Sequence, residues 1–214
     1  PYKSNDPSTL QAAFMTALQK KPTGVILAGE SPSTWSASVI DAYAAAGVPI
    51  IAGSTCPVED DGTVHPGSGT CEQNPRTGKA LADWVVADAG GQPVQVLMQS
   101  MPQYNVYIGF RDAFQEELTR LCPECSATVQ ETTLAQFGAG QIPSAFVNTL
   151  RSNPDYDYVV FDNGAWAQGF IPAMNAAGLA DRVKVIGNGI NGDVLSQLQA
   201  GTIAAWSANA YRLY

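Results

Sequence analysis

Uncharged amide and hydroxyl side chains stand at the ends of several predicted strands in this 214-residue chain. They are Ser54, Thr55, Gln73, Asn74, Gln99, Asn163, Asn188, Asn191 and Asn209. Aromatic residues lie near them in the sequence, namely Trp35, Tyr104, Phe137 and Trp166. An amide offers both donors and acceptors, and an aromatic face packs on the apolar side of a ring. Any single Asn is more often a cap or turn residue. At successive strand ends, however, the set predicts a cleft for a neutral polyhydroxylated or amide-bearing molecule.

Residues that could perform catalysis or hold a metal are sparse. His65 is the single histidine, so a Ser-His or Cys-His mechanism would depend on it alone. The chain has no zinc-protease, phosphate-loop or nucleophile-elbow motif. Residues 187–189 lack the third glycine of a dinucleotide fingerprint, and the acidic stretch 59–61 lacks calcium-ligand spacing. We therefore expect no enzymatic activity, no cofactor and no metal.

The four cysteines form two close pairs, Cys56 with Cys71 and Cys122 with Cys125. The first pair brackets a segment rich in Gly, Pro and Asp, which indicates a disulfide-closed surface loop worth roughly 3 kcal/mol by loop entropy. A zinc site at the second pair would need two more ligands. A redox role for this pair is also less favoured than a structural disulfide. Reactive pairs of this spacing usually lie at the start of a helix, whereas this pair is predicted at the end of one. Two disulfides favour an oxidising compartment.

Composition excludes other classes of function. The chain is 45% hydrophobic and 14% charged, with a net charge of −8 and no basic cluster. A nucleic-acid partner is therefore not expected, because neutralising phosphates needs grouped Lys and Arg. No apolar run reaches transmembrane length.

Residues 156–191 give the clearest prediction of local structure. A β-branched and aromatic run at 156–161 predicts a buried strand, and a helix-period pattern ending at Gly178 follows it. A second strand is predicted at 183–186. Strand, helix and strand in about 30 residues form a parallel βαβ unit. Both Asn-rich tips then lie at the carboxyl ends of strands, where open α/β sheets bind ligands.

The same alternation continues through the chain. Further strands are predicted at 24–28, 48–52, 93–98, 127–132 and 203–208, with amphipathic helices between them. This order predicts a doubly wound α/β fold. Asp61-Gly62 between two valines predicts a small hairpin inside the disulfide loop. The chain opens with a helix and not with a strand, so we expect a further strand and helix before residue 1 in the intact protein.

Three segments resemble type I periplasmic solute-binding proteins, the family of the ribose-binding protein, which shares its core with the lactose repressor. Residues 75–85 are similar to the family's helix after the first hinge, and residues 108–114 to its Gly-Phe-x-x-Ala segment. The C-terminal half is matched by 156–191 and 199–205. The resemblance covers nearly all of the chain. It implies two doubly wound, Rossmann-like lobes, incomplete at both ends: a partial first lobe at 1–73, a second lobe at 74–209, and the start of a crossover at 210–214.

The resemblance also implies a function. Family members close two lobes on a small molecule and deliver it to an ABC transporter permease. We therefore expect an extracytoplasmic, periplasmic or surface-anchored monomer that binds a sugar or sugar derivative. A ligand-sensing domain of a receptor or transcriptional regulator with the same fold is the alternative, although the cysteine pairs oppose a cytoplasmic repressor. An enzyme of doubly wound fold is a third hypothesis, which lacks a nucleophile, base and metal set.

Position within the family pattern assigns roles to individual residues. Asn163 matches the cleft Asn that follows a strand, Phe137 matches the stacking aromatic, and Asn209 sits at a hinge position usually held by Gln or Asn. The full predicted ligand-binding set is Asn163, Phe137, Asn188, Asn209, Tyr104, Ser54, Gln73, Asn191 and Trp166.

Two departures from the family pattern bear on the ligand. Asn188 stands where an Asp commonly binds sugar hydroxyls, and Ser54-Thr55 stands where Asp-Arg is usual. The family's arginine before the Gly-Phe segment is also missing near Val106, and Tyr104 lies where that arginine would approach. These losses of charge argue against a simple pentose or hexose. They favour a bulkier, more apolar or modified ligand.

Overall fold

The computed structural model describes residues 7–67 and 70–208. The described residues form two compact units. The first unit contains residues up to Cys71 together with the segment Tyr104–Val106, and the second contains Glu72–Gln103 and the residues from Tyr107 onward. The structural boundary thus follows Cys71, and a short later segment joins the first unit. The lobe limits implied by the resemblance stay a prediction about the whole protein.

The first unit is a parallel sheet with helices on one face. Its elements are α1 (Pro7–Gln19), β1 (Val25–Ala28), a 3₁₀ turn (Pro32–Thr34), α2 (Ala37–Ala46), β2 (Ile50–Gly53) and β3 (Val64–Pro66). The described strands pair in the order β1-β2-β3. Helix α2 ends where Gly47 adopts a left-handed conformation with φ of 64°, as expected of a helix-ending glycine.

Alternation along the strands separates a core face from an outer face. Ile50 and Val64 point inward, where they pack with Phe14 of α1 and Tyr43 of α2. The Tyr43 hydroxyl donates to the Phe14 carbonyl oxygen at 2.8 Å, which satisfies a polar group inside this core. On the outer face Ile26 remains 74% exposed among the described residues.

The second unit is a larger parallel sheet. Its elements are α3 (Thr70–Asp88, whose first residues belong to the first unit), β4 (Gln95–Ser100), a 3₁₀ turn (Asn105–Tyr107), α4 (Ile108–Leu121), β5 (Ser126–Glu131), α5 (Leu134–Gly138), α6 (Ile142–Ser152), β6 (Tyr158–Phe161), α7 (Phe170–Ala176), β7 (Lys184–Gly187), α8 (Gly192–Gln199) and β8 (Ala205–Trp206). The strands are parallel, in the order β5-β4-β6-β7-β8. None of the described helices is both long and apolar enough to span a membrane.

Strand β6 lies in the middle of this sheet and is buried along its whole length. A central strand of a parallel sheet is covered on both faces, so it is apolar at every position. Its residues pack with Phe110 and Phe114 of α4 on one side and with Phe146 and Phe170 on the other. The predicted βαβ unit is present, with β6 and β7 in parallel register. The prediction of a doubly wound α/β fold is confirmed.

The predicted hairpin in the disulfide loop is wrong. Strand β3 pairs in parallel with β2, with Ile50 opposite Val64. Asp61-Gly62 does form a turn, because the Asp61 carboxylate accepts the backbone N–H groups of Thr63 and Val64. The turn leads the chain into β3 instead of reversing it against a partner strand.

Helix α3 begins five residues before Pro75, earlier than the sequence indicates. Gln73 and Asn74 consequently lie within a helix and not at a strand end. The Pro75 ring packs against α4, where an added Cβ on Gly109 would lie 3.1 Å from Pro75 Cγ. This packing explains how a helix accommodates a proline that removes one of its hydrogen bonds.

Both predicted cysteine pairs are bonded, Cys56 to Cys71 and Cys122 to Cys125, with the Cα atoms 5.3 Å apart in each. The second pair follows α4 directly and closes that helix. Because its loop spans three residues and the first spans fifteen, the first bridge restricts the unfolded chain more.

We predict that replacing both Cys56 and Cys71 by Ser lowers the melting temperature by several degrees, since the bridge contributes roughly 3 kcal/mol through loop entropy. Differential scanning calorimetry measures this effect. The matched control is the Cys122→Ser, Cys125→Ser double variant, whose melting temperature should fall less because its loop is shorter. Each protein is measured with and without reductant. A wild-type protein whose melting temperature does not respond to reductant would contradict the prediction.

Candidate functional site

The strand order of the second unit reverses between β4 and β6. The chain moves outward from β4 to β5 and then returns to the other side of β4 to form β6. At such a reversal the connections leave toward opposite faces of the sheet, which opens a crevice beyond the carboxyl ends of the two strands. Residues 101–107 follow β4 and residues 162–169 follow β6, so these two segments border the crevice.

Asp162 directly follows β6 and is completely buried. Its Oδ2 accepts the Met101 backbone N–H at 3.2 Å, and its own N–H donates to Gln99 Oε1 at 3.3 Å. Burial raises the pKa of Asp162 to about 8, although the Met101 amide, the Trp166 side chain and the charge of Arg111 oppose that rise. The carboxyl group therefore keeps its proton at neutral pH.

Asn163 follows directly and is held by two partners. Its Oδ1 accepts the Ala165 backbone N–H at 2.8 Å, and its Nδ2 donates to the Tyr107 hydroxyl in a short hydrogen bond. The first contact is an Asx turn, and the second joins the loop after β6 to the loop after β4. One Nδ2 hydrogen and one Oδ1 lone pair are left over by these two contacts. The predicted cleft residue thus lies at the strand-order reversal in a fixed orientation.

Asn188 is also fully buried, at the end of β7. Its Nδ2 donates to Asn74 Oδ1 at 3.3 Å, and its Oδ1 accepts the Ser207 hydroxyl at 2.7 Å. These contacts connect α3, β7 and the end of β8. The side chain joins these three elements at the edge of the sheet. A direct role in ligand binding stays a prediction.

Asn191 is exposed and caps α8, where its Oδ1 accepts the Val194 backbone N–H at 2.8 Å. The loop that carries it touches the loop of Asn163, because the Gly164 N–H donates to the Gly189 carbonyl oxygen at 3.1 Å. Asn163 and Asn191 therefore belong to adjoining loops at one edge of the second unit.

Phe137 and Trp166 form an aromatic pair with ring centroids 4.7 Å apart and planes at 83°. Phe137 lies in the short helix α5 and not in an open tip, because Thr133 and Gln136 form a capping box there. Trp166 is only 7% exposed. Both rings line a cavity of about 470 Å³ between the starts of α6 and α7.

In the first unit, Ser54 and Thr55 follow β2. Ser54 adopts a left-handed conformation with φ of 50°, which is unusual for a residue with a side chain. The Thr55 hydroxyl donates to Asn105 Oδ1 at 3.0 Å, and the Cys56 N–H donates to the same oxygen at 3.3 Å. Asn105 and the adjoining disulfide thus fix this tip.

Tyr104 packs over the end of β1, where an added Cβ on Gly29 would lie 3.4 Å from its ring. Burial, followed by the negative charge of Glu30, raises the pKa of the Tyr104 hydroxyl. The hydroxyl therefore stays protonated and can donate a hydrogen bond. Ligand binding by Ser54 and Tyr104 stays a prediction.

Gln73 lies elsewhere in the second unit. Gln73 is in α3, where it lines a groove with Trp84 and Trp206 at the β8 edge of the sheet. Its assignment to a strand end is corrected by the position of α3. Asn209, like residues 210–214, lies outside the described residues.

Sequence reasoning missed three residues of this region. Tyr107 lies at the end of the 3₁₀ turn that follows β4, and its hydroxyl accepts from Asn163. Asp162 was given no role, although an acidic residue directly after a buried strand signals a constrained carboxyl group. Asn105 carried no sequence signal, because its partners lie 49 and 50 positions away.

A family model described as a periplasmic binding protein domain matches residues 1–213. The two parallel sheets and the strand order of the second unit agree with that match. The chain belongs to the periplasmic binding protein domain family, and its fold is the type I periplasmic binding protein fold. Among curated protein sequences, none is similar enough to count as a match.

Solved structures support the same fold. The chain is similar to a Caulobacter myo-inositol binding protein bound to myo-inositol, with a TM-score of 0.81, 24% identity, and 98% of this chain and 70% of that chain covered. It is also similar to a substrate-binding protein of a sugar ABC transport system from Bordetella parapertussis, with a TM-score of 0.76 and 17% identity. That match covers 94% of this chain and 60% of the other. A third similar structure is a protein described as a LacI transcriptional regulator from Bacteroides fragilis, with a TM-score of 0.71 and 15% identity. That match covers 95% of this chain and 70% of the other. At these identities the likeness establishes the fold alone.

We predict that Asp162→Asn becomes more stable relative to the wild type as pH rises from 5 to 8. The folded pKa of about 8 exceeds the unfolded value of about 4. In this window the folded wild type keeps a proton that the unfolded chain releases, so wild-type stability falls with rising pH. Asn does not titrate. Urea unfolding of both proteins at the two pH values measures the difference.

Asp88→Asn is the control for this experiment. Hydrogen bonds from Lys184 and Tyr158 lower the pKa of Asp88, so both its folded and its unfolded values lie below the window. The stability difference between Asp88→Asn and wild type should be the same at pH 5 and pH 8. The same constancy for Asp162→Asn would show that Asp162 is ionised in the folded protein.

We also predict that Tyr107→Phe releases the Asn163 side chain. The variant removes one hydrogen bond, which costs about 1 kcal/mol, and it moves the Asn163 side-chain NH₂ signals in a ¹H–¹⁵N NMR spectrum. Asn163→Ala identifies those signals. Tyr43→Phe loses a comparable bond in the first unit and should leave the Asn163 signals in place. Signals unmoved by Tyr107→Phe would contradict the hydrogen bond.

Proposed function

We propose that this chain is an extracytoplasmic solute-binding protein that captures a neutral sugar or sugar derivative for an ABC importer. Its permease partner, its monomeric state and its location outside the cytoplasm belong to the same proposal. Membership of the periplasmic binding protein family supports it. So does the sugar or polyol specificity stated for the Caulobacter and Bordetella proteins.

The single observation that carries the proposal is Asn163 at the strand-order reversal. Its amide is held by Tyr107 and by Ala165, and its remaining donor and acceptor match the hydroxyl group of a polyol. A ligand that makes these bonds avoids leaving polar groups unpaired in the crevice, which costs about 1–3 kcal/mol for each group.

The electrostatics of this edge favour a neutral ligand over an anion or a cation. Asp162 beside Asn163 keeps its proton at neutral pH because burial raises its pKa to about 8. Arg111, the nearby cation, pairs with Asp112 at 2.7 Å. Neither residue presents an uncompensated charge to a molecule bound at Asn163.

A sensing domain is the second candidate. The likeness to the Bacteroides fragilis regulator shows that the same fold is found among regulators. The two disulfides favour the secreted binding protein, because disulfides rarely persist in the cytoplasm. Extraction of the native protein under thiol-blocking conditions distinguishes the two: a secreted protein is recovered with no free thiols.

We predict that Asn163→Ala and Phe137→Ala each weaken the binding of a polyol, by roughly 5- to 100-fold for the loss of the Asn163 hydrogen bonds. Isothermal titration calorimetry with myo-inositol and D-xylose as probes measures the affinity, and circular dichroism verifies the fold. Asn175→Ala, on the exposed face of α7 near the amino ends of the strands, is the control and should bind normally. Unchanged affinity in both site variants would remove Asn163 and Phe137 from the site.

A further inference from the structure

The cavity between the starts of α6 and α7, here called the α6–α7 pocket, is bounded by Phe137, Ile142, Pro143, Trp166, Gly169 and Ala173. We propose that this pocket takes the apolar substituent of a polyol whose hydroxyl groups are bound by Asn163. The ligand class is then an alkyl- or aryl-substituted sugar or cyclitol. This inference rests on the proposed function and narrows it.

The size of the pocket fits such a substituent. Its volume is about 470 Å³, whereas a cavity of roughly 150 Å³ is enough to hold benzene. Pockets that bind small molecules measure about 300–1,000 Å³. An aryl ring or a chain of several carbons therefore fits without rearrangement of the two helices.

The walls of the pocket are mainly apolar. The edge-to-face contact of Phe137 with Trp166 presents two ring surfaces, an arrangement that aromatic pairs favour. Pro143 and Ala173 form the opposite side. The polar side chains at the rim are those of Ser144 and Gln168, and the Ser144 hydroxyl is already bonded to the Gln141 carbonyl oxygen. The interior thus offers little to a hydroxyl group and favours a hydrocarbon.

One loop connects the pocket to Asn163. The Trp166 backbone N–H donates to the Asn163 carbonyl oxygen at 3.1 Å, so the amide and the indole are carried by the same tight turn. Gly169, three residues later, forms part of the pocket wall and begins α7. A ligand held at Asn163 can therefore extend an attached group along this turn toward the pocket.

Two further cavities lined by described residues of the second unit do not share these properties. Both lie near the amino ends of the strands and include Asp181 and Lys184 in their walls. They are far along the strands from the carboxyl edge that carries Asn163. The groove of Gln73, Trp84 and Trp206 is also largely apolar, but it lies at β8, two strands away from β6. The α6–α7 pocket combines apolar walls with a turn that it shares with Asn163.

The experiment uses three probes on the whole chain: benzyl alcohol, D-xylose and phenyl β-D-xyloside. Benzyl alcohol should shift the Trp166 indole N–H signal in a ¹H–¹⁵N NMR spectrum, identified by its loss in Trp166→Phe. Phenyl β-D-xyloside should bind at least about tenfold more tightly than D-xylose, as expected for an added group in an apolar pocket.

Ser144→Trp fills the pocket from its exposed rim and should abolish the advantage of the phenyl group while leaving D-xylose affinity unchanged. Ser152→Trp, at the other end of α6, is the matched control and should behave as wild type. Ala173→Phe fills the same space from α7, so the test survives if one variant fails to fold.

The outcomes separate this inference from the proposed function. If D-xylose or myo-inositol binds but the phenyl group adds no affinity and benzyl alcohol moves no Trp166 signal, the pocket inference is overturned and the proposed function stands. If benzyl alcohol binds but none of the polyols or the xyloside does, both the ligand class and the proposed function are overturned. A phenyl advantage that Ser144→Trp removes supports the proposal.

Discussion

The buried carboxyl group of Asp162 constrains the candidate site more than any other group in the second unit. It sits where β4 and β6 end side by side, out of contact with solvent. A carboxylate in such a place would be costly, and the raised pKa keeps it neutral. It still accepts the Met101 N–H, while its own N–H bonds the Gln99 side chain. These contacts add hydrogen bonds between the ends of β4 and β6 to those of the strand pairing. They fix the backbone from which the Asn163 side chain extends.

The three amides at this edge differ in their burial and in their partners. Asn188 bonds Asn74 and Ser207 and is fully buried, whereas Asn191 is exposed and its Oδ1 accepts from the first turn of α8. Asn163 makes the same number of contacts as Asn188, but it is only partly buried, so the donor and acceptor that its two partners leave over are accessible. Fixing the orientation before a ligand arrives lowers the entropy lost on binding.

The sequence predicted the alternation of strands and helices because periodicity and helix-ending glycines are local signals. Strand β6 shows this well, since a central parallel strand must be apolar throughout. The turn at Asp61 was also recognised, but the partner of β3 was not, because strand pairing is decided by the rest of the sheet. The same reason applies to Gln73, placed in a helix that begins early, and to Tyr107. Which hydroxyl meets Asn163 from 56 positions away depends on how two loops pack.

The loops after β6 and β7 are joined by backbone contact, and this limits how the site can vary. A Cβ on Gly164 would collide with the Gly189 carbonyl oxygen, and a Cβ on Gly189 would lie 3.3 Å from Asn163 Nδ2. Larger residues at either glycine would therefore push the loops apart and displace the Asn163 amide. Changes of ligand are then possible only through the side chains carried by this fixed frame. Trp166 is such a side chain, because it shares a turn with Asn163 but points its ring into the α6–α7 pocket. In the proposed site, the backbone of the turn fixes the Asn163 amide, and the Phe137–Trp166 pair beside it is the part that would select the substituent.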